Sequence, residues 1–241
     1  MGRYKLYVAS DDVGFGANVL LDGLWESWLT IFMAKRLQLG MNVVDVGANH
    51  GYYTLLFADI VGPKGRVAAV EPNPAACALL RRSISLNGFT LRVSVIEVAA
   101  GASENTQVIL HVPPHEPKNA HVLDWSGNEE AGTNGISVVT RCLSSLLHEW
   151  ARVDFIKVDV EGAEEAVVGG ALPMLERDRP DVVLEFNCGR CHAPAELLDR
   201  LEHIYGPLRV IGFDSELHRA TREELLDQSN REDWLVFLSM R

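Results

Sequence analysis

Two kinds of segment alternate along this chain: short runs of apolar, often β-branched residues, and longer stretches in which apolar residues recur with a helical repeat. Continuous apolar runs are typical of strands buried on both faces, and the 3.6-residue repeat is typical of amphipathic helices. The runs predict strands at 42–46, 66–71, 91–97, 153–159, 181–187, 207–213 and 233–239. The helical stretches predict helices at 51–61, 74–87, 162–177, 194–204 and 221–228.

The order of these segments predicts an α/β fold. Strands that alternate with helices favour a mostly parallel sheet with helices on both faces. Leu24–Leu39 predicts a further helix that packs over the first strand. An insertion at 106–141 contains two apparent strands, Thr106–Val112 and Ile136–Arg141, around a polar loop at 113–135. Loops of this length within compact domains are usually lids, binding loops or disordered segments.

Composition narrows the classes of partner. The chain has 241 residues, of which 47% are hydrophobic, and this fits one large α/β domain. The net charge of -11 argues against nucleic acid, because a protein that binds the phosphate backbone needs a basic face. The first residues lack the pattern of a signal peptide, and no run of about 20 apolar residues would span a membrane. We therefore expect a soluble, cytoplasmic protein.

The segment 43–51, Val-Val-Asp-Val-Gly-Ala-Asn-His-Gly, is the strongest functional signal. A buried strand there runs into a turn bracketed by Gly47 and Gly51, which let the backbone approach a ligand at a helix N-terminus. The dinucleotide fingerprint needs three glycines, and this turn has two, with Asp45 just before them. A carboxylate would repel a phosphate but suits a cationic ligand that bears an amine, such as S-adenosylmethionine.

Glu71 supplies the second half of this signal. It ends the next predicted strand, where an acid can accept hydrogen bonds from both hydroxyls of a ribose, in NAD or in S-adenosylmethionine. Glu71 therefore indicates an adenosine-containing ligand. Asp45 and the missing third glycine favour S-adenosylmethionine over a nicotinamide cofactor.

Four segments, 43–54, 70–74, 87–88 and 153–164, resemble the FkbM family of S-adenosylmethionine-dependent methyltransferases. The resemblance covers residues 20–187 in order, and Asp-Val-Glu-Gly-Ala-Glu at 159–164 is its most specific part. It implies a class I methyltransferase (Rossmann-like) fold with a seven-stranded, mostly parallel sheet and an antiparallel last strand, for which Trp234–Leu238 is the match. It also implies O-methylation of a small hydroxylated acceptor such as a sugar or a natural product.

The resemblance and the glycine turn together indicate two regions of the chain. Residues 1–40 form an N-terminal extension and helix expected to cover the cofactor site, and 41–241 form the methyltransferase domain with its insertion at 106–141. Gly47, Asn49 and Gly51 are expected to line the methionine end, and Glu26 resembles a family acid that reaches the amino group. The complete set expected at the cofactor is Glu26, Asp45, Gly47, Asn49, Gly51, Glu71, Asn73, Glu97, Ala99 and Asp159.

Methyl transfer to an alcohol needs alignment of the hydroxyl and removal of its proton. Asp159 is the first candidate beside the reacting centre, where it could hold the methionine amine or orient the acceptor hydroxyl. It could also cap the following helix, and the two roles can coexist. Glu185 ranks second, because a charge is seldom placed at the end of a buried strand without a partner. His192 and His121 follow as candidate bases that overhang the site if their loops fold inward. His50, in the glycine turn, either faces the methyl group or caps backbone.

A metal ion is a further alternative. Asp159, Glu185 and Asn187 offer oxygen ligands from adjacent strand ends, at positions similar to those in catechol-type O-methyltransferases. The FkbM resemblance does not imply a metal, so Mg²⁺ is not favoured. The sequence Cys188–His192 has the spacing of a haem attachment site, but a reduced thiol set fits an α/β protein better.

Two other functions stay open at this point. A nicotinamide oxidoreductase would share the strand, turn, helix and acid pattern, although the third glycine is missing. A protein that binds S-adenosylmethionine without catalysis would share the cofactor residues but not the acids at the other strand ends. The sequence does not indicate an oligomeric state.

Overall fold

The computed structural model describes residues 4–123, 135–229 and 233–240. Its strands, in chain order, are β1 (Asn42–Val46), β2 (Arg66–Val70), β3 (Val93–Ile96), β4 (Ala99–Ala100), β5 (Gln107–His111), β6 (His121–Leu123), β7 (Gly135–Arg141), β8 (Phe155–Val158), β9 (Asp181–Phe186), β10 (Arg209–Ile211), β11 (Leu217–Arg219) and β12 (Trp234–Leu238). Its helices are α1 (Phe15–Asp22), α2 (Ser27–Arg36), α3 (Tyr52–Val61), α4 (Pro74–Leu86), α5 (Leu143–Leu146), α6 (Glu164–Asp178), α7 (Pro194–Tyr205) and α8 (Arg222–Leu225).

The larger sheet has the strand order β11-β10-β12-β9-β8-β1-β2-β3. Strands β9, β8, β1, β2 and β3 pair in parallel, and β12 lies antiparallel between β9 and β10. The predicted α/β fold with an antiparallel last strand is confirmed. The sheet carries one more strand than the seven expected, because the three-residue β11 adds an antiparallel edge to β10.

Two apolar clusters cover the two faces of this sheet. Val44 and Val46 of β1 belong to one cluster, and Val43 belongs to the other, as expected where successive side chains point to opposite faces. Helices α6 and α7 supply the first cluster, and α2, α3 and α4 supply the second. Burial on both faces explains why the strands read as continuous apolar runs.

The N-terminal helix is shorter than the expected Leu24–Leu39. It begins after Glu26, which has a left-handed backbone (φ 39°), and it ends where Leu37 becomes extended. Another helix, α1, precedes it and was not predicted. Both helices contribute to the apolar cluster that contains α3. Over the part of the chain that the structure describes, no helix has both the length and the apolar character needed to cross a bilayer.

The insertion strands β5, β6 and β7 form a second sheet together with β4, which precedes the insertion, in the order β4-β7-β5-β6. Strands β5 and β7 occupy the two segments predicted as strands. The intervening loop prediction was wrong in part, because 113–135 contains a 3-10 turn at Pro117–Asn119 and the strand β6. The stretch 124–134 lies outside the described residues.

Candidate active site

A cavity of about 1410 Å³ opens at the carboxyl ends of β1, β2, β8 and β9. The strand order reverses between β8 and β1, which is where open α/β sheets bind ligands. The N-terminal extension contributes Phe15, Trp25 and Glu26 to the wall, and the insertion contributes residues that include Lys118 and His121. We call this space the strand-tip cavity.

The glycine turn forms one side of the cavity, and contacts within the protein require both of its glycines. Gly47 has φ 77°, and a Cβ atom there would lie 1.8 Å from the carbonyl oxygen of Asp159. Gly51 has φ 95°, and its Cβ would lie 2.2 Å from Leu80 Cδ1. From the sequence, these two glycines were expected to let the backbone approach a ligand. The structure adds a second reason, since the turn packs directly against β8 and α4.

Glu71 lies in the cavity wall and is held by backbone amides. Its Oε2 accepts a hydrogen bond from the Asn49 N–H at 2.8 Å, and its Oε1 accepts one from the Asn73 N–H at 2.9 Å. Burial raises the pKa of Glu71 to about 7, while these two amides oppose that rise. Each carboxylate oxygen keeps a second lone pair, so the group suits a ligand that presents a pair of hydroxyl donors.

Asp45 does not form part of the cavity wall, although a ligand contact was expected. Its Oδ2 accepts a hydrogen bond from Thr54 Oγ1 at 2.5 Å, and its Oδ1 has no hydrogen-bond partner among the described residues. Burial raises its pKa, and Lys157 opposes that shift. Asp45 therefore acts on the cavity through Lys157, not by direct contact.

Lys157 is a site residue that the sequence analysis missed. It lies on β8, is 2% exposed, and its Nζ donates a hydrogen bond to Asp159 Oδ2 at 2.9 Å. The ammonium also lies 5.1 Å from the ring centroid of Tyr53. Burial alone would lower its pKa, but Asp159 and Asp45 raise it overall, so the side chain stays charged. The signal in the sequence that could have identified Lys157 is its charge inside the otherwise apolar run 155–158.

Tyr53 links this lysine to the N-terminal extension. Its hydroxyl donates a hydrogen bond to Glu26 Oε2 at 2.7 Å, and both residues line the cavity. Burial raises the pKa of Glu26. Glu26 is therefore present at the cavity, as the sequence predicted, and Tyr53 orients its carboxylate.

Asp159, Glu161 and Glu185 form an acidic cluster in the cavity wall, with oxygen atoms within 4.8 Å of one another. Burial would raise the pKa of Asp159, but Lys157 lowers it, so Asp159 is ionised. Burial and the Asp159 charge raise the pKa of Glu185 to about 9, so Glu185 carries a proton at neutral pH. The cluster thus combines a hydrogen-bond acceptor with a donor, a division seen where environment separates two carboxyl groups.

Arg190 is the second cation at this cluster and was also missed. It forms ion pairs with Glu161 and Asp233, and its Nη2 lies 3.8 Å from Glu185 Oε2. Glu161, which pairs with this arginine, has a left-handed backbone (φ 54°). Arg190 lies within the cysteine motif that the sequence analysis weighed only for haem.

Asp159, Glu185 and Asn187, the three residues weighed as metal ligands, all line the cavity. Asn187 donates to Asp233 Oδ1 at 2.8 Å and accepts from the Gly189 N–H at 2.9 Å, so its amide is already engaged. Glu161 joins Asp159 and Glu185 in a group of carboxyl oxygens close enough together to hold a metal ion. Lys157 and Arg190 already supply positive charge there. The four cysteines are free thiols, as expected.

Three other expected site residues point elsewhere. Glu97 is exposed and pairs with Arg81 at 2.7 Å, although the adjoining Ala99 does line the cavity. The Asn73 side chain caps α4 by accepting the Ala75 N–H at 3.0 Å and does not line the cavity. His192 is exposed and does not line the cavity. Its backbone N–H donates a hydrogen bond to the Glu165 carboxylate, which holds the loop in this position.

The other two candidate histidines, His121 and His50, line the cavity. His121 lines it from β6, and its Nδ1 lies 3.1 Å from the carbonyl oxygen of Asn119. His50 lines it from the glycine turn, with Phe15 stacked on its ring. Asp159 does not cap a helix, because α6 begins at Glu164, whose carboxylate accepts the backbone N–H of Gly162.

Comparison with known proteins assigns a family to this arrangement. The model of the FkbM methyltransferase domain matches residues 45–206, which contain both the glycine turn and the acidic cluster. The chain belongs to the FkbM methyltransferase family. A crystal structure of an FkbM methyltransferase from Methylobacillus flagellatus superimposes with a TM-score of 0.52 and 18% identity, covering 83% of this chain and 43% of that one. The class I methyltransferase fold expected from the sequence is confirmed.

Two curated relatives are similar over part of their length. Methyltransferase sdnD of Sordaria araneosa is 28% identical over 155 residues, which are 53% of this chain and 59% of the relative. The 2-O-methyltransferase NoeI of Sinorhizobium fredii is 29% identical over 151 residues, which are 57% of this chain and 60% of the relative. The chain therefore spans less than two thirds of the length of these relatives.

Proposed function

We propose that this FkbM-family protein transfers a methyl group from S-adenosylmethionine to a hydroxyl of a small molecule. One observation carries the proposal: an adenosine-type cradle at Gly47–Gly51 and Glu71 lines the same cavity as a carboxyl cluster. The similarity to a relative named as a 2-O-methyltransferase supports oxygen as the methylated atom.

The cradle residues fit S-adenosylmethionine. Glu71 has free lone pairs for the ribose hydroxyls, and Ala99, the first residue of β4, provides an apolar surface for the adenine. Glu26, oriented by Tyr53, provides a negative charge for the amino group. The bound cofactor supplies an electrophilic methyl group on a positively charged sulfur.

The acidic cluster would orient the acceptor. Ionised Asp159 accepts a hydrogen bond, and protonated Glu185 donates one, so a hydroxyl placed between them is fixed in direction. Alignment of the reacting oxygen with the methyl carbon is worth roughly 7 to 11 kcal/mol in well-oriented systems. Because Lys157 lowers the pKa of Asp159, this carboxylate is a weak base and serves orientation better than proton removal.

The test is transfer of a trideuterated methyl group from labelled S-adenosylmethionine to a pool of methyl glycosides and phenols, read by mass spectrometry. We expect a labelled product from the wild type and at least a 100-fold lower yield from Asp159→Asn. A matched control is Asp154→Asn, which lies on the same stretch at the opposite end of β8. Binding of NADH in place of S-adenosylhomocysteine would contradict the proposal.

A further inference from the structure

A buried aspartate and a buried histidine face each other beside the strand-tip cavity. His50 Nδ1 lies 3.7 Å from Asp12 Oδ2, and the two side chains are 2% and 0% exposed. Neither atom has a hydrogen-bond partner among the described residues. Each unsatisfied buried polar atom costs about 1–3 kcal/mol of folding free energy. A facing pair of such atoms therefore needs an explanation, and a functional role supplies one.

The imidazole lies between Asp12 and the cavity. His50 belongs to the cavity wall, whereas Asp12 does not. Phe15 stacks on the ring at a centroid distance of 5.5 Å, and the Gly14 N–H donates to Asp12 Oδ1 at 3.0 Å. The ring and the carboxylate are thus each held by a neighbour from the N-terminal extension.

This arrangement is that of a histidine oriented by an acid. A carboxylate beside Nδ1 favours the tautomer with hydrogen on Nδ1, which leaves the lone pair of Nε2 for a substrate proton. The 3.7 Å gap is a few tenths of an ångström beyond a hydrogen bond. Catalytic hydrogen bonds are often long without ligand and shorten in the complex.

The charge state of His50 agrees with this role. Burial lowers its pKa, and Asp12 opposes that shift. Among the described residues, Asp12 is the charged group that acts on it. The imidazole is therefore neutral near pH 7 and able to accept a proton.

We propose that His50 is the general base that removes the proton of the acceptor hydroxyl, and that Asp12 is the positioning residue that fixes its tautomer. The inference rests on the proposed methyltransferase function. The acceptor O–H bond breaks and its proton bonds to Nε2 of His50. The oxygen keeps the electron pair with which it bonds to the transferred carbon, and the former carbon–sulfur pair stays on sulfur.

The first test reads the tautomer directly and needs no acceptor. Protein labelled with ¹⁵N-histidine is examined by NMR between pH 7 and 8, with the His50 signals assigned by their loss in His50→Gln. We expect hydrogen on Nδ1 and a bare Nε2 in the wild type. In Asp12→Asn the amide oxygen can still accept the Gly14 N–H while its NH₂ faces the ring, so the hydrogen should move to Nε2.

The matched control is Asp11→Asn, which removes a neighbouring but exposed carboxylate and should leave the His50 signals unchanged. A wild type with hydrogen on Nε2 would overturn the proposal. The same holds if Asp12→Asn leaves the tautomer as it was.

The second test is kinetic and uses the glycoside or phenol that the methyl-transfer assay labels. We expect Asp12→Asn and His50→Gln to lower kcat by about 10²- to 10⁴-fold, with little change in KM or in the Kd for S-adenosylhomocysteine. The acid limb of the kcat/KM profile should disappear in His50→Gln. Full kcat in that variant would overturn the base assignment, whereas a wild type that neither binds S-adenosylhomocysteine nor methylates would instead contradict the proposed function.

Discussion

The two sides of the strand-tip cavity are held in different ways. On the glycine-turn side, backbone amides of Asn49 and Asn73 hold Glu71. On the acidic-cluster side, the side chains of Lys157 and Arg190 hold the carboxyl groups. A carboxylate held by backbone depends on the path of the chain, whereas one held by side chains depends on which residues stand at distant positions.

The charge states of the carboxyl groups also differ between the two sides of the cavity. Burial raises the pKa of Glu71 to about 7, a value near the physiological range, and that of Glu185 to about 9. Asp159, beside Glu185, has a lowered pKa because Lys157 outweighs its burial. The first side thus offers one carboxylate that titrates near neutrality. The second side keeps one acid ionised and one protonated.

The largest expected effect comes from a substitution that strains the backbone on the glycine-turn side. Gly47→Ala adds a Cβ atom 1.8 Å from the Asp159 carbonyl oxygen at a residue with φ 77°. We expect a loss of more than about 4 kcal/mol in the free energy of unfolding and no measurable binding of S-adenosylhomocysteine. Urea denaturation and calorimetry measure the two quantities.

Gly88→Ala is the control for this change. Gly88 has φ 72° and nothing within 4 Å of the added Cβ, so it isolates the cost of the backbone conformation. We expect a loss of about 1–2 kcal/mol there. Equal losses in the two variants would show that the contact with β8 is unimportant.

The next effect comes from removing the buried cation of the second side. Lys157→Met leaves Asp159 and Asp45 without their neutralising charge, and removal of one partner from a buried ion pair costs about 3–5 kcal/mol. Lys35→Met removes an exposed lysine that pairs with Glu216 and should change stability by less than about 0.5 kcal/mol. In Lys157→Met/Asp159→Asn, part of the stability should return, as thermal unfolding can show.

A smaller effect concerns the pH dependence of cofactor binding. A ribose that donates hydrogen bonds favours ionised Glu71, so affinity should rise as the pH rises through about 7. We expect S-adenosylhomocysteine to bind up to about tenfold more tightly at pH 8 than at pH 6. Calorimetry at the two pH values checks this, and a flat profile in the wild type would contradict the assignment of Glu71.

The smallest effect concerns stability and Glu185. Burial and the Asp159 charge raise its folded pKa above the ordinary value of 4.5, so its contribution is complete at low pH and is lost as the pH rises. Glu185→Gln keeps the neutral shape at every pH. At pH 8.5 we expect its Tm to exceed that of the wild type by about 2–4 °C, with no gain at pH 5. A gain at pH 5 would indicate a cause other than ionisation.

The sequence predicted carboxyl groups on both sides, Glu71 on the first and Asp159 and Glu185 on the second, but it missed the cations that hold the second side. Gly47 and Glu71 follow from a local pattern of strand, turn, helix and strand, and the structure places both at the cavity. Arg190 reaches Glu161 and Asp233 only after folding, and no local pattern marks such a contact.

Two further residues show the same limit. His192 was a candidate base by its place after a strand, but the bond from its N–H to Glu165 holds it in an exposed loop. Asp12 lies outside every predicted element, and its proximity to His50 comes from the packing of the N-terminal extension against the glycine turn. Periodicity and motif spacing carry no information about such packing.

Calorimetric titration with S-adenosylhomocysteine, of the wild type, Glu71→Gln and Glu185→Gln side by side, tests the central claim most directly. If the glycine-turn side binds the cofactor and the acidic cluster binds the acceptor, the wild type and Glu185→Gln will bind with similar micromolar Kd values. Glu71→Gln will then bind at least tenfold more weakly. Absence of binding by the wild type, or a greater loss in Glu185→Gln than in Glu71→Gln, would contradict the account.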